Sequence, residues 1–317
     1  MPAISPLTLH WNACDRMAWD RHLVAAGRST LEQSWAYGVG MAHSHGQVVD
    51  RLIIRDGNTP VAMAQIFRKR VMGVLSVIRI ARGPLLLAEM GTGGAAKDIL
   101  QAFRDAFSMR RGDILFWLPE LLDTPQSQAL MRSIGTRRMV TGLSSAWLDL
   151  SQDDESLRNG MTGSWRTALR MAEKNDPPLA IIEGSEEIER DMADYDSFHK
   201  QKRFVGPSGG LVASIAEAGK ETKDVLVLTA NDGQERIAGI VLIRHGVSAT
   251  YFIGWTTDKG RTVNAHNFLL WRGLQSLRES GIRWLDLGGL NTGPAAGVAR
   301  FKLGLGPEVF TLAGTFL

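Results

Sequence analysis

The stretch RWLDLGG, residues 283–289, closes a strand–helix–strand unit that decides the fold class of this chain. The β-rich run VSATYFIGWTT precedes it at residues 247–257, and the helical segment NAHNFLLWRGLQSLRESG lies between them at residues 264–281. Strands that alternate with a helix of this length are typical of mixed α/β sheets. Asp286 and the glycines after it stand where the closing strand ends, which is where ligands gather in open α/β sheets.

The segments before this unit form a predicted hairpin, and the same order occurs earlier in the chain. The runs KDVLVLTANDG (223–233) and RIAGIVLIRHG (236–246) meet at an Asp-Gly turn, which is a strong hairpin signal. In the first half, QVVDRLIIRDG and PVAMAQIFRKRV meet at a second Asp-Gly turn, and a strand, a helix and a strand follow there too. The repeat predicts a duplicated α/β unit, with a first domain over residues 1–150 and a second over residues 151–317.

Helical segments flank both predicted sheets. Ser29 or Thr30 is expected to cap one of them, because a hydroxyl accepts well from the first free N–H groups of a helix. The glycines in GVARFKLGLG, residues 297–306, predict a loop instead. The sequence predicts further helices at residues 15–27, 29–46, 186–204 and 208–219, with helix starts near residues 153 and 162.

The composition is that of a folded globular protein. Hydrophobic residues make up 44% of the 317 residues and charged residues 22%, while the formal charge is only +3. The apolar runs fall far short of the roughly 20 residues that a membrane span needs, and the N-terminus has no export signal pattern. Cys14 is the single cysteine and no Cys/His cluster has zinc spacing. We therefore expect a cytoplasmic protein without membrane insertion, metal or internal disulfide.

The order of the motifs in the second half resembles the FemABX aminoacyltransferases, which consist of two tandem GNAT-like domains. Members of that family have an aromatic-glycine strand, a helix with an apolar-Trp segment, a strand that ends in Asp-x-Gly-Gly and a Phe-Lys pair followed by glycine. The opening segment LEQSWAYG and the basic segment SWRTALRMAEKN resemble family segments as well. In this chain the four motifs correspond to Tyr251 with Gly254, residues 269–271, residues 286–289, and Phe301-Lys302 with Gly304.

The resemblance implies an enzyme that transfers an aminoacyl group from aminoacyl-tRNA to an amine, usually on a peptidoglycan precursor. Acyl transfer to an amine passes through a tetrahedral oxyanion, which a fixed cation stabilises. We expect Lys302 to be that cation and Phe301 to be an apolar plate for the terminal adenine of the tRNA. The alternative is a solvated lysine at the end of a strand beside a core phenylalanine.

Four further residues of the second half are candidates for the reaction. Asp286 is the second predicted catalytic residue, since it can orient Lys302 or the incoming amine from the end of its strand. Tyr251, Asn264 and His266 are predicted to bind the acceptor or to move a proton, because histidine titrates near neutrality. Helix capping and core hydrogen bonds are the structural alternatives for these groups.

Cations in two places are candidates for donor binding. Arg166 and Arg170 lie four residues apart, on one helix face along which a phosphate backbone can lie, although a solvated face is as common. Lys259 and Arg261 lie in the loop TTDKGRTVN before another helix and can hold a phosphate. That loop lacks the glycine pattern with which GNAT acetyltransferases bind CoA. An acyl-CoA donor is therefore the second choice.

The resemblance places the acceptor near the early helix and the middle helices. Trp35 and Tyr37 belong to the early helix, and Lys202 or Arg203 in HKQKRF matches the basic acceptor residue of the family. The alternative for HKQKRF is a helix end whose cations favour the C-terminal dipole. Family members that use a nucleotide-linked muropeptide carry a lysine soon after the tryptophan, whereas this chain has none between Trp35 and Lys69.

These patterns predict an aminoacyl-tRNA-dependent aminoacyltransferase that needs no cofactor and forms an amide on a small peptide or muropeptide-like acceptor. The sequence contains no G-x-S-x-G elbow, reactive cysteine motif or P-loop. Direct attack by the acceptor amine is therefore the expected mechanism. The rival predictions are an acyl-CoA-dependent N-acyltransferase of the same fold and a GNAT-like pair of domains that binds a ligand without turnover.

Overall fold

The structure is a computed structural model that divides the chain into two compact units. The first unit comprises Met1–Ser144 together with Phe310–Leu317, and the second comprises Ser145–Val309. The structure describes residues 7–71, 75–87, 94–175, 180–184, 188–202, 206–233, 235–290 and 296–317. No helix among these residues has both the length and the apolar composition to cross a membrane.

The described elements alternate between strands and helices along most of the chain. In chain order they are β1 (Leu7–Trp11), α1 (Arg16–Ala25), α2 (Trp35–His45), β2 (Val48–Asp56), β3 (Thr59–Val71), β4 (Leu75–Ala81), β5 (Leu85–Leu86), α3 (Gly94–Asp105), β6 (Asp113–Leu118), α4 (Pro125–Ser133), β7 (Arg138–Val140), β8 (Ser144–Asp149), α5 (Asp154–Gly160), α6 (Gly163–Glu173), β9 (Ala180–Gly184), α7 (Ile188–Lys202), α8 (Gly209–Ala218), β10 (Val225–Asp232), β11 (Glu235–His245), β12 (Ser248–Thr256), α9 (Asp258–Thr262), α10 (Ala265–Glu279), β13 (Trp284–Asp286), α11 (Ala296–Leu303), β14 (Glu308–Thr311) and β15 (Thr315–Phe316).

The sheet of the first unit has the strand order β1-β2-β3-β4-β6-β15-β7, with β5 paired to β3. The predicted hairpin forms between β2 and β3, where Leu52 pairs with Ala64. β4 runs antiparallel to β3 and parallel to β6, and α3 makes the crossover between them. Phe103 of α3 packs on Trp117 of β6, with ring centroids 5.0 Å apart. This contact anchors the helix to the core face of the sheet.

Capping of the early helices differs in one respect from the sequence prediction. Ser34 is the N-cap of α2 and accepts from the Tyr37 N–H at 3.2 Å. Thr30 instead precedes a short 3₁₀ helix, Leu31–Gln33, and its hydroxyl donates to the Arg82 carbonyl at 3.2 Å. The predicted cap at Ser29 or Thr30 is therefore wrong, because that hydroxyl is used in a long-range hydrogen bond.

The second unit repeats this topology in the order β14-β8-β13-β12-β11-β10-β9. β10 and β11 form an antiparallel hairpin, β12 continues it, and β13 lies parallel to β12 after the crossover helix α10. The buried face of α10 includes Leu269, Trp271 and Leu274, which pack in one core with Leu228 and Leu242 of the sheet. The predicted mixed α/β class with two sheets is confirmed.

Each sheet also contains one strand from the other half of the sequence. β15, near the end of the chain, lies between β6 and β7 in the first sheet. β8 lies between β13 and β14 in the second sheet. The sequence analysis does not predict this exchange. β15 spans only two residues, which is too short for a detectable alternation of polar and apolar side chains.

The stretch predicted as a loop at residues 297–306 is helical over most of its length. α11 covers Ala296–Leu303 and ends before Gly304 and Gly306. Alanine, arginine and lysine are good helix formers, so the glycines end the helix rather than prevent it. Gly306 has a φ of +74°, and a Cβ there would lie 2.2 Å from the Gly160 carbonyl oxygen. The predicted loop is therefore wrong, and Lys302 projects from a helix.

Candidate functional site

A cavity of about 710 Å³ lies within the second unit, between its central strand and four helices. β12 forms its floor, and α7, α9, α10 and α11 contribute residues to its walls. Most of the wall is apolar and aromatic, with a few polar groups among these surfaces, as is typical of a ligand site. The lining side chains used below are those of Tyr195, Phe198, Tyr251, Trp255, Arg261, Asn264, His266, Phe301 and Lys302.

Lys302 presents a buried ammonium group to this cavity. Its side chain is only 7% exposed, and its Nζ donates a hydrogen bond to the Gly289 carbonyl at 3.0 Å. The same Nζ lies 5.6 Å from the centre of the Tyr251 ring, within the range of a cation–π contact. Burial lowers the pKa of Lys302 to about 8, while the charge of Asp286 opposes that shift. Lys302 therefore remains mainly protonated at neutral pH. It is not the solvated lysine of the alternative interpretation.

Asp286 is fully buried at the end of β13. Its Oδ1 accepts from the Ser145 hydroxyl at 2.6 Å and from the Gly288 N–H at 2.8 Å. These bonds fix the turn that carries the Gly289 carbonyl, which in turn holds Lys302. Asp286 thus supports Lys302 through the loop and through its charge, and it also makes the strand-to-loop hydrogen bond of the structural alternative.

Tyr251 and His266 form a close pair in the floor and wall of the cavity. The Tyr251 hydroxyl lies 2.7 Å from His266 Nε2. Burial raises the pKa of Tyr251 and lowers the pKa of His266 to about 4, so both groups are neutral near pH 7. The two groups share a hydrogen bond whose direction depends on which histidine nitrogen carries the proton. His266 Nδ1 makes no hydrogen bond of standard geometry with the described residues. The Trp255 backbone nevertheless raises the pKa of His266, against the larger lowering by burial.

Gly254 makes room for this pair. A Cβ at that position would lie 1.8 Å from the Tyr251 hydroxyl and 2.6 Å from His266 Cε1. The aromatic-glycine spacing in β12 therefore has a steric reason, because only glycine lets the tyrosine and histidine side chains meet above the strand.

Phe301 lies at the cavity wall between two other rings. Its ring centre is 5.7 Å from Trp165 and 4.9 Å from His266, with an interplanar angle of 89° to the histidine. Trp165 also donates its indole N–H to the Phe301 carbonyl at 3.1 Å. A Cβ at Gly304 would lie 2.6 Å from Trp165, so this glycine allows the tryptophan to pack there. The expected plate is thus a braced ring that still lines the cavity.

The predicted donor cations lie in different surroundings. Arg261 lines the cavity from α9, pairs with Asp258 and donates to the Thr256 carbonyl at 3.1 Å. Lys259 pairs with Asp232, whose hydrogen bond raises the pKa of the lysine, and it is not a lining residue. The structure brings Arg261, but not Lys259, to the cavity.

The predicted stripe on α6 is exposed at both arginines. Arg166 donates to the carbonyls of Asn159 and Met161 at 3.0 and 2.8 Å, so it holds the C-terminal end of α5. Arg170 is exposed to solvent on the same helix. Arg166 therefore has a structural role that the spacing of four residues does not reveal.

The predicted acceptor residues divide between the two units. Asn264 lines the cavity from the N-cap position of α10, where its φ is 54° and its side chain makes no capping bond. Trp35 and Tyr37 belong to the first unit, where the Arg51 guanidinium lies 3.5 Å above Trp35. Burial raises the pKa of Tyr37 to about 12, and its ring meets Phe67 edge-on at 5.9 Å.

The two candidates in HKQKRF, Lys202 and Arg203, lie where the described part of α7 ends. Lys202 is the last residue of α7. Arg203 lies outside the described residues. Their predicted role in acceptor binding stays a prediction.

The sequence analysis missed the aromatic wall that α7 contributes. Tyr195, Phe198 and His199 line the cavity from one face of this helix. Phe198 also lies 6.1 Å from Trp255 of β12. Residues three and four apart share a helix face, so this spacing was the available signal. The sequence prediction for this helix instead concerned the basic residues that follow the rings, Lys202 and Arg203.

A family model matches most of the second unit. Residues 159–303 match the family model of the GNAT acetyltransferase domain. This range contains β12, α10, β13 and all of α11, elements that build the cavity. Over this range the second unit is therefore similar to GNAT acetyltransferase domains.

Solved structures extend the similarity to the whole chain. The structure of FemX matches with a TM-score of 0.81 and 14% identity, covering 97% of this chain and 96% of FemX. A tandem GNAT protein from the clavulanic acid biosynthesis pathway matches with a TM-score of 0.55 and 12% identity, covering 98% and 97%. The C-terminal domain of an Agrobacterium fabrum protein described as a lysylphosphatidylglycerol synthetase matches with a TM-score of 0.58 and 14% identity, covering 95% and 92%.

These matches confirm the predicted fold. The chain has the FemABX-type fold of two tandem GNAT-like domains. No curated protein matches it in sequence.

Proposed function

We propose that this protein is an aminoacyltransferase that moves an aminoacyl group from aminoacyl-tRNA to an amine of a peptide or peptidoglycan-precursor-like acceptor. The observation that carries the proposal is the buried Lys302 ammonium, which faces the cavity of the second unit and is held by the Gly289 carbonyl. The FemABX-type fold supports the same reaction class. We place the reaction in the cytoplasm, where charged tRNA is available.

The proposed reaction is direct attack of the acceptor amine on the aminoacyl ester. The C–N bond forms as the carbonyl oxygen gains negative charge, and the buried Lys302 Nζ stabilises that charge. An ammonium has three N–H groups, so the bond to Gly289 leaves two for the oxyanion. The ester C–O bond then breaks, and a hydroxyl or phosphate of the substrate carries the proton from the amine to the departing ribose oxygen.

The aromatic wall supports binding of the 3′ end of a tRNA. Trp165 and His266 contact the Phe301 ring and hold it in place. A base that stacks on this ring therefore costs little side-chain conformational entropy. Phe198 and Trp255 add further rings to the wall. Base–aromatic stacking contributes about 1–3 kcal/mol per base. In this proposal Arg261 contacts a donor phosphate at the cavity mouth.

The acceptor amine is proposed to enter beside α10. Asn264 offers an amide that is not used as a helix cap, and the neutral pair of Tyr251 and His266 offers polar groups without charge. A neutral surrounding favours the uncharged amine that must attack, because burial destabilises an ammonium ion. The mass of the amide product identifies the acceptor.

The test of this proposal is a comparison of donors. The protein is incubated with a cytoplasmic extract and a pool of tRNAs charged with labelled amino acids, with and without prior ribonuclease treatment. We expect label to move to a small molecule only from intact tRNA, and the amide product to be identified by its mass. Label transfer that resists ribonuclease would overturn the assignment of the donor.

A second candidate is an acyl-CoA-dependent N-acyltransferase, because the matched family model is that of a GNAT acetyltransferase domain. In that case α9, with Lys259 and Arg261, lies where CoA phosphates bind. Labelled acetyl-CoA then gives product with release of a free thiol, while charged tRNA gives none. A protein that binds ligands without turnover gives no product from either donor, and Lys302→Ala leaves its binding unchanged.

A further inference from the structure

The charge of this protein is divided unequally between its two units. The first unit contains 17 lysine and arginine residues against 11 aspartate and glutamate residues, a formal charge of +6. The second contains 19 against 22, a formal charge of −3, which together give the +3 of the chain. An excess of positive charge in one unit indicates an anionic partner for that unit. The cavity described above lies in the other unit.

Part of the excess is concentrated at one end of the first sheet. We define the basic patch as Lys69, Arg70, Arg110 and Arg111, all of which are exposed. Arg70 of β3 pairs across the sheet with Ser76 of β4, and the Ser76 N–H donates to the Gly112 carbonyl at 2.9 Å. The sheet therefore brings the end of β3 beside the short 3₁₀ helix Met109–Arg111, although Arg70 and Met109 are 39 residues apart in the sequence.

The patch contains few carboxylates to neutralise it. Asp113 pairs with Arg111 of the patch at 3.8 Å, and it is also paired with Arg68 at 3.3 Å. Arg68 is shared with Asp50, also at 3.3 Å. Among the residues that the structure describes, Lys69, Arg70 and Arg110 make no ion pair, so their charge is available to a partner.

The face of the sheet beside the patch carries one exposed ring, Phe116, and a further cation, while Phe67 in the same row is buried against Tyr37. Cross-strand pairing aligns Phe67 of β3, Arg79 of β4 and Phe116 of β6 in one row. The Arg79 guanidinium lies 5.3 Å from the centre of the Phe67 ring. Phe116 is 40% exposed and offers its ring to solvent. Lys69 belongs to the adjacent row on the same face, opposite Val77.

We propose that the basic patch, together with the exposed Phe116 ring beside it, binds the body of a tRNA. Guanidinium groups suit phosphates because they donate in a planar fork, and exposed rings beside them suit unpaired bases. An anionic membrane offers phosphates but no bases, so the exposed Phe116 ring favours RNA. The inference rests on the proposed function for the identity of the RNA.

The test compares two variants of the full chain that lose the same charge. Arg70→Gln with Arg110→Gln alters the patch, while Lys97→Gln with Arg132→Gln alters exposed cations elsewhere in the first unit. Binding of fluorescently labelled tRNA is measured by anisotropy over a series of salt concentrations. We expect the patch variant to bind about tenfold more weakly, with a slope of log affinity against log salt lower by about 1 for each lost contact. The control variant is expected to match the wild type.

Further outcomes distinguish a tRNA surface from the other interpretations of the patch. Transfer from an aminoacylated CCA trinucleotide, which lacks the tRNA body, is expected to be equal in the wild type and the patch variant. Equal tRNA affinity and salt slope in both variants would overturn the inference. A patch variant that loses binding only to vesicles of equal parts phosphatidylcholine and phosphatidylglycerol would assign the patch to a membrane instead. If the protein transfers from no donor, the proposed function fails while the anisotropy still decides where RNA binds.

Discussion

Lys302 combines burial with a positive charge, and this combination makes it the central residue of the proposed reaction. Its Nζ hydrogen bonds to the Gly289 carbonyl, and the charge of Asp286 partly offsets the cost of burial. With a pKa of about 8, the side chain is near the point at which a modest change in pH removes its charge. An oxyanion stabiliser must be protonated, whereas a general base must not be, so pH distinguishes the two roles.

The first prediction concerns the pH dependence of Lys302. The ratio of the wild-type rate to the Lys302→Met rate is expected to fall as the pH rises through about 8, because the neutral amine no longer stabilises the oxyanion. The ratio cancels the titration of the acceptor amine, which both proteins share. Single-turnover transfer between pH 6 and pH 10 measures it, and a ratio that rises through pH 8 would indicate a general base instead.

The second prediction concerns acid stability. Burial lowers the pKa of His266 to about 4 from its ordinary 6.5, so the unfolded chain binds a proton between these values that the folded chain does not. The stability that the neutral histidine provides is therefore present above pH 6.5 and is lost as the pH falls towards 4. His266→Gln is expected to lose about 3 kcal/mol less than the wild type between pH 7 and pH 4.

Denaturant unfolding at the two pH values measures that difference. His43→Gln, which changes an exposed histidine of the first unit, serves as the control and is expected to follow the wild type. Identical acid losses in His266→Gln and the wild type would show that burial does not hold His266 neutral.

At the scale of elements, β12 positions the site through its aromatic-glycine spacing. Tyr251 and Gly254 belong to the same strand, and the absent side chain of the glycine lets the tyrosine hydroxyl reach His266 on α10. The motif was visible in the sequence, but its reason was not. The close approach depends on how α10 packs over the strand.

The third prediction follows from this packing. Gly254→Ala is expected to destabilise the protein by about 1–3 kcal/mol, because its Cβ would overlap Tyr251 and crowd His266. The transfer rate is expected to fall with it, since the cavity floor shifts. Gly210→Ala in α8 is the matched control, because a Cβ there meets nothing within 4 Å and alanine favours a helix. Equal melting temperatures for the two variants would refute the steric argument.

Sequence patterns predicted the elements of this site better than their contacts. The hairpins, the crossover helices and Asp286 at a strand end followed from periodicity and turn residues, which are local signals. Local patterns do not predict the helix around Lys302, because its neighbouring glycines favour a loop. Gly304 and Gly306 in fact follow the end of this helix. The ring of Trp165 against Phe301 joins residues 136 positions apart, and no local pattern records such a contact.

At the scale of the whole molecule, each sheet depends on a strand from the other half of the sequence. Phe316 of β15 pairs with Trp117 and is 1% exposed in the core of the first unit. The repeat of two α/β units was readable in the sequence, whereas the exchange of their strands was not. Nothing in two residues of strand indicates which sheet they join.

The fourth prediction tests this exchange. Phe316→Ala is expected to destabilise the first unit by about 3–5 kcal/mol, since it removes a large buried ring. Leu317→Ala, which changes a 40% exposed neighbour, is the control and is expected to cost far less. Hydrogen exchange resolves the two units separately. Faster exchange confined to the second unit after Phe316→Ala would contradict the assignment of β15 to the first sheet.

The central claim is that Lys302 in the cavity of the second unit promotes transfer from aminoacyl-tRNA, and one measurement tests it most directly. Single-turnover transfer from intact aminoacyl-tRNA is compared between the wild type and Lys302→Met, with tRNA affinity measured on the same preparations. The account predicts a rate lower by about 10²–10³-fold in the variant, with tRNA affinity unchanged. Transfer by the variant at the wild-type rate would contradict it.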